Sequence, residues 1–129
     1  MFKDAHGPGT YYINTFVNCN TTHVVYRLEC ECGCFYVGRT KRRLRDRVSE
    51  HVYAIRTGND QYPMAKHYRQ AGHSSPNTLK VMAIEVVPNH RRGGDRLKHL
   101  LQRETFWIFK LKAMEFPGLN EEIDYSPFL

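Results

Sequence analysis

The spacing of apolar positions changes several times along the chain, and each change marks an element. Thr22–Glu29 is dense in β-branched and aromatic residues, Phe35–Gly38 repeats that character, and Gly33 lies between them. The two runs predict a β-hairpin with an irregular tip. Tyr26 and Tyr36 then sit on neighbouring strands, where cross-strand side chains can face one side. Beyond the hairpin, Leu44, Val48, His51 and Ile55 recur at helical spacing, which predicts a helix from an N-cap at Thr40 to about Ile55. Pro63 and Gly72 bracket a shorter helix, Met64–Ala71, with His67 and His73 at its far end.

Leu79–Val87 is strongly apolar and stopped by Pro88, so it is expected to be a buried third strand. Asn89–Gly94 follows as a basic, glycine-bearing loop. Asp95 caps the last long helix, which runs to about Lys112 with Leu97, Leu101, Ile108 and Leu111 on its apolar face. Pro117-Gly118 turns the chain into Leu119-Asn120, and Glu121–Leu129 forms an acidic and apolar tail.

A chain of 129 residues with 41% apolar and 25% charged positions suits one folded domain. The polar segment 1–20 is expected to be a lead-in or the cut end of a linker, and 21–129 the domain. No apolar run approaches the roughly 18–20 residues of a membrane span, and Met1–Gly9 lacks the core of a secretory signal. An intracellular protein without a membrane partner is therefore expected. Nineteen Lys and Arg against 13 Asp and Glu give a formal charge of +6, concentrated in Lys41–Arg47 and His90–His99. That clustering favours a polyanion, with Lys41, Arg42, Arg43, Arg45, Arg91, Arg92 and Arg96 as candidate phosphate contacts. Solvated helix charge accounts for some of them.

Three features break the pattern in ways that point to chemistry. Arg47 borders the apolar stripe one turn before His51, so both polar groups point toward the sheet. Glu104 stands in the middle of the last helix's apolar stripe, where a carboxylate requires a cation, either a guanidinium or a metal. Cys30, Cys32 and Cys34 alternate along the hairpin tip. Two of their thiolates, Cys30 and Cys32 foremost, would complete a tetrahedral zinc site with His67 and His73, and Cys19 could replace one ligand. Buried free thiols are the ordinary alternative.

The order Val24-Val25-Tyr26, Tyr36-Val37-Gly38, Arg47 and His51 resembles the opening of a GIY-YIG nuclease domain, with Val24 in place of the first triplet's glycine. The resemblance extends over about Val24 to Asn120. It implies an α+β fold, a small three-stranded antiparallel sheet flanked by helices. It also implies an endonuclease site made of Tyr26, Tyr36, Arg47, His51, Glu104 and Asn120. Glu104 would hold one divalent ion, Mg²⁺ or Mn²⁺, and Tyr26 or a water-linked neighbour would act as base if its phenol is made more acidic. Tyr36 and His51 would position or relay protons, Arg47 would clamp the scissile phosphate, and Asn120 would order the site.

More narrowly, Cys19-Asn20-Thr21-Thr22, the hairpin cysteines and the His67/His73 pair resemble the nuclease module of Penelope-like retroelement polyproteins. That resemblance implies a partner reverse transcriptase in a longer polyprotein. It also implies work in the nucleus, nicking DNA to expose a 3′-hydroxyl for priming. Two other expectations compete with it: a catalytically silent, zinc-stapled nucleic-acid-binding module, and a repair nuclease specific for branched DNA.

Overall fold

Val24–Glu29 carries apolar residues on both of its faces, and in the fold it becomes the middle of a sheet covered on two sides. The computed structural model describes residues 2–4, 11–13, 20–73, 79–89 and 95–121. Its elements are β1 (Phe2–Asp4), β2 (Tyr11–Ile13), β3 (Val24–Glu29), β4 (Phe35–Thr40), α1 (Leu44–Thr57), α2 (Pro63–Ala71), β5 (Lys80–Val86) and α3 (Arg96–Lys110). β1 and β2 pair as a two-stranded antiparallel ribbon inside the expected lead-in. The main sheet has the order β4-β3-β5 and is antiparallel throughout, so the fold is α+β as expected.

The period of two along β3 sorts its side chains into two cores. Val24, Tyr26 and Leu28 face Leu44, Val48 and Val52 of α1 and Met64 and Tyr68 of α2. Val25 belongs to the opposite layer, with Phe35 and Val37 of β4 and Leu100 and Ile108 of α3. β5 lies at one edge of the sheet rather than inside it, and its burial alternates from Val81 to Ala83. A bulge at Ile84 lets Val25 pair with Glu85 while Tyr26 pairs with Ala83. Glu85 thereby accepts hydrogen bonds from Arg103 Nε and Trp107 Nε1, both at 2.8 Å, which fixes the roll of α3 on the sheet.

Element boundaries differ from expectation in two places. Thr40 is not the cap of α1, because it is still paired with Val24 as the last residue of β4. The helix begins after Arg43, the Leu44 N–H donates to the Thr21 carbonyl at 3.0 Å, and Thr40 Oγ1 accepts from the Arg42 N–H at 3.0 Å. In α3 the Asp95 cap is present, its carboxylate accepting from the Lys98 N–H at 2.9 Å, and the helix ends at Lys110. Its buried seam is Leu100, Glu104, Thr105 and Ile108, whereas Leu97 is 42% exposed. The first turn of α3 reaches past the sheet, so Leu97 borders a cleft and Leu100 anchors the helix.

After α3 the chain folds back along the outer edge of β4. Gly118 presses against the Ala113 backbone so closely that a Cβ there would overlap it, which excludes any other residue at this turn. Phe35 N–H donates to the Pro117 carbonyl and Leu119 N–H to the Phe35 carbonyl. Asn120 then acts as a surrogate strand: Val37 N–H donates to its Oδ1 at 2.9 Å, and its Nδ2 donates to the Val37 carbonyl at 2.7 Å. Among the described residues, no segment pairs with the outer edge of β4 beyond Val37, so that edge stays open from Gly38 to Thr40.

Candidate active site

Tyr26 is fully buried, and its hydroxyl is the centre of a polar cluster enclosed by α1. Arg47 Nε donates to Tyr26 Oη at 3.2 Å, and His51 Nε2 lies 2.7 Å from the same oxygen. Arg47 can only donate to this oxygen; with the hydroxyl's own proton turned to His51 Nε2, the imidazole proton resides on Nδ1. Nδ1 is buried with no hydrogen-bond partner among the described residues. Tyr36 stands on the same side of the sheet, its ring centroid 5.6 Å from that of His51.

Two residues that periodicity did not single out complete this wall. Tyr62, just before α2, meets the His51 ring edge-on at 5.3 Å and lies 5.7 Å from the Arg47 guanidinium carbon. Glu50 accepts from Arg47 Nη1 at 3.2 Å and pairs with Arg42. Gly38 explains why the second tyrosine triplet ends in glycine. A Cβ at that position would lie 2.6 Å from Tyr26 Oη and 2.7 Å from a Tyr36 ring carbon. Gly38→Ala is expected to cost about 1–3 kcal/mol in unfolding free energy and to displace both phenols, measurable by urea denaturation beside an activity assay.

Burial dominates the electrostatics here. It pushes the Tyr26 phenol far above the ordinary tyrosine range, helped by Tyr36 and Glu104 and opposed by Arg47. It also pushes Tyr36 up, with Glu104 as the next cause. His51 is pushed down to about 3, first by burial and then by the Arg47 charge. Tyr26 is therefore not acidified in this state, contrary to the condition set for it as a base, and His51 is neutral.

The sign of the His51 shift gives a stability prediction. The unfolded chain binds a proton near pH 6.5 that the native imidazole refuses until about pH 3, so native stability is intact above 6.5 and drains away below it. About 2 kcal/mol should be lost by pH 5 from this group. Urea unfolding of His51→Gln across pH 5–7.5 should show that much less pH dependence.

Glu104 approaches from the other layer, because α3 covers the face of the sheet opposite α1. The two sides meet at the open end of β4. Arg39, on the α3 face with Phe35 and Val37, donates from Nη1 to Glu104 Oε1 at 3.0 Å and to Oε2 at 3.3 Å. The cation that a carboxylate on an apolar stripe requires is thus a guanidinium. Alternation along β4 could have located it, since Arg39 is two residues beyond Val37. The Glu104 charge still bears on both phenols. Phenols and acid therefore share the end of one strand rather than one face of the sheet.

A cleft of about 330 Å³ opens at that strand end, lined by Arg39, Thr40, Lys41, Arg42, Arg47, Leu97 and Leu100. Of the expected phosphate contacts, Lys41 and Arg42 line it. Arg43 pairs with Asp46, Arg45 is exposed on α1, and Arg96 is committed to the fold through a hydrogen bond to the Val87 carbonyl at 3.1 Å. Arg91 and Arg92 lie outside the described residues, as does Cys19. Among the described residues, the Asn120 side chain hydrogen-bonds the backbone of Val37 rather than the cluster around Tyr26.

A second assembly forms at the hairpin tip. One ligand atom each from Cys30, Cys32, His67 and His73 lie within 4.8 Å of one another, a spread that tetrahedral arms of about 2.0–2.3 Å can draw together. Cys32 Sγ is 3.2 Å from His67 Nε2, and His73 Nε2 is buried without a hydrogen-bond partner among the described residues. The Cys34 backbone N–H, followed by contacts with His73, Cys30 and His67, lowers the Cys32 thiol to about 6. An orphaned imidazole nitrogen beside a thiol that ionises at neutral pH is a donor set suited to a zinc-like ion. Cys34 is outside this group, and burial raises its thiol to about 11.

Compared with known proteins, the chain matches no curated protein and no solved structure. The GIY-YIG catalytic domain matches residues 22–117, a span that runs from just before β3 through the turn after α3 and includes Tyr26, Tyr36, Arg47, His51 and Glu104. With that match over most of its length, the chain belongs to the GIY-YIG catalytic domain family, a family of endonucleases acting on DNA.

Proposed function

We propose that the protein hydrolyses one strand of DNA at the end of β4 with the help of a divalent ion, Mg²⁺ or Mn²⁺, held by Glu104. The observation that carries this reading is the suspension of Tyr26 Oη between Arg47 Nε and His51 Nε2 beside a basic cleft. Lys41, Arg42 and Arg47 would receive the DNA backbone, with Glu50 releasing two of them to phosphate oxygens. A single carboxylate fits Mg²⁺ if water and phosphate oxygens fill the remaining positions, and the guanidinium on Glu104 marks the point that calls for positive charge. Such an ion would offset charge on the phosphorane-like transition state.

The buried network changes character when a phosphate arrives. Arg47 is one of the two causes that hold His51 down, so an anion on Arg47 raises the proton affinity of the imidazole. Neutralising Glu104 removes one of the charges that hold the Tyr26 proton in place. Water attack on phosphorus, with Tyr26 taking the water proton as it passes its own to His51, breaks the bond to the 3′ oxygen. That oxygen leaves as an alkoxide that takes a proton from bulk water to become a 3′-hydroxyl, His51 later returns its extra proton to solvent, and the phosphate remains on the 5′ side.

The hairpin cysteines with His67 and His73 support a zinc staple, and that pairing supports the retroelement reading. In that reading the chain is the nuclease part of a longer polyprotein and works in the nucleus, where the new 3′-hydroxyl primes reverse transcription. The test is supercoiled plasmid incubated with Mg²⁺ and zinc-loaded protein. Relaxed circles whose 3′ ends a polymerase extends without further processing are expected; ends that block extension would refute the priming role. Preference for branched over plasmid DNA would point to repair instead.

A further inference from the structure

Arg39 is placed to serve two partners in turn. Its Nη1 spans both oxygens of Glu104, at 3.0 and 3.3 Å, while the rest of the side chain lines the basic cleft with Lys41, Arg42 and Arg47. The two partners differ in freedom: the Glu104 side chain is 8% exposed, whereas that of Arg39 is 39% exposed. The carboxylate is fixed in the α3 seam, and the guanidinium is the member that can move.

We propose that Arg39 is the exchangeable counter-ion of Glu104. It neutralises the carboxylate in the metal-free protein, competes with the divalent ion for it, and on giving it up supplies a guanidinium to the DNA phosphate in the cleft. The proposal rests on the reading of Glu104 as a metal ligand. Its physical basis is that a buried carboxylate is costly without a cation, and that Arg39 Nη1 spans both oxygens of Glu104, so a metal ion that takes either oxygen displaces one of its contacts. Arg39 therefore keeps α3 seated without metal and couples metal loading to phosphate capture. It is a positioning residue before exchange, and it touches substrate only afterwards.

Mn²⁺ binding to zinc-loaded protein without DNA, followed by the electron paramagnetic resonance signal of the free ion, tests this directly. The parent should bind one Mn²⁺ that Glu104→Gln abolishes, and Arg39→Gln should bind it about tenfold more tightly, because a competing ion pair is gone. Arg39→Lys keeps a cation with a different reach and should fall between the two, which guards against a misfolded Arg39→Gln protein. In nicking assays Arg39→Gln should need less Mg²⁺ for half-maximal rate and show a raised KM for DNA. Equal or weaker Mn²⁺ binding by both Arg39 variants, with the Glu104 dependence intact, would overturn the exchange while leaving the metal site standing. Mn²⁺ binding that Glu104→Gln does not alter would overturn both.

Discussion

Glu104→Gln is expected to lower the rate of plasmid nicking by roughly a thousandfold or more while the protein stays folded, because about 4 kcal/mol of transition-state stabilisation is of the order a bound cation supplies. The substitution preserves shape and leaves an amide that can still accept from Arg39, so the seam of α3 keeps its packing. What disappears is the negative charge. Tyr26→Phe removes one oxygen from a fully buried ring and should lose about 10²–10⁴-fold, the usual scale of a general acid–base group. Both effects are read as conversion of supercoiled to relaxed circles with enzyme in excess, beside a denaturation curve for each variant. Equal rates in the parent and both variants would mean that the cleavage comes from another source.

The second large effect concerns stability. With zinc held by Cys30, Cys32, His67 and His73 as proposed, its chelation should destabilise the protein by about 4 kcal/mol relative to protein with zinc at a thousandfold its dissociation constant. For a domain of this size that corresponds to a melting temperature lower by roughly 15 °C. The reason is where the ligands lie: two in the turn between β3 and β4, two on and just after α2. An ion there ties the hairpin to α2, the helix that packs into the core through Met64 and Tyr68. Cys32→Ser should reproduce most of the loss, whereas Cys34→Ser should reproduce little, since Cys34 stands outside the cluster. An unchanged melting curve on chelation, with stoichiometric zinc measured beforehand, would remove the staple.

Periodicity alone made much of the fold legible. β3, β4 and α2 follow their apolar spacing, and the Asp95 cap and Gly72 terminus fall where their chemistry requires. Local rules failed where tertiary contacts outweighed them. Thr40 has the right side chain for an N-cap, yet pairing with Val24 holds it in the sheet. Leu97 fits the helical stripe, yet the stripe extends one turn beyond the surface it packs on. Tyr62 and Glu50 carried no signal, because a loop residue and a helix charge acquire a role only when α1 and α2 meet around His51.

The identity of the candidate site residues was a property of the chain itself. Two strand tyrosines, an arginine and histidine one turn apart, and an acid out of place on an apolar face are anomalies of pattern, visible because burial penalises polar groups that have no purpose there. Their relation to one another was decided only by the fold. The sheet separates Glu104 from the phenols, and its charge bears on them beside the edge strand β4, where Arg39 holds the carboxylate on one face and Gly38 leaves room for the phenols on the other. Periodicity specifies which side of an element a residue takes. Whether two opposite sides share a site depends on where the sheet ends, and that is set by the packing of the whole molecule.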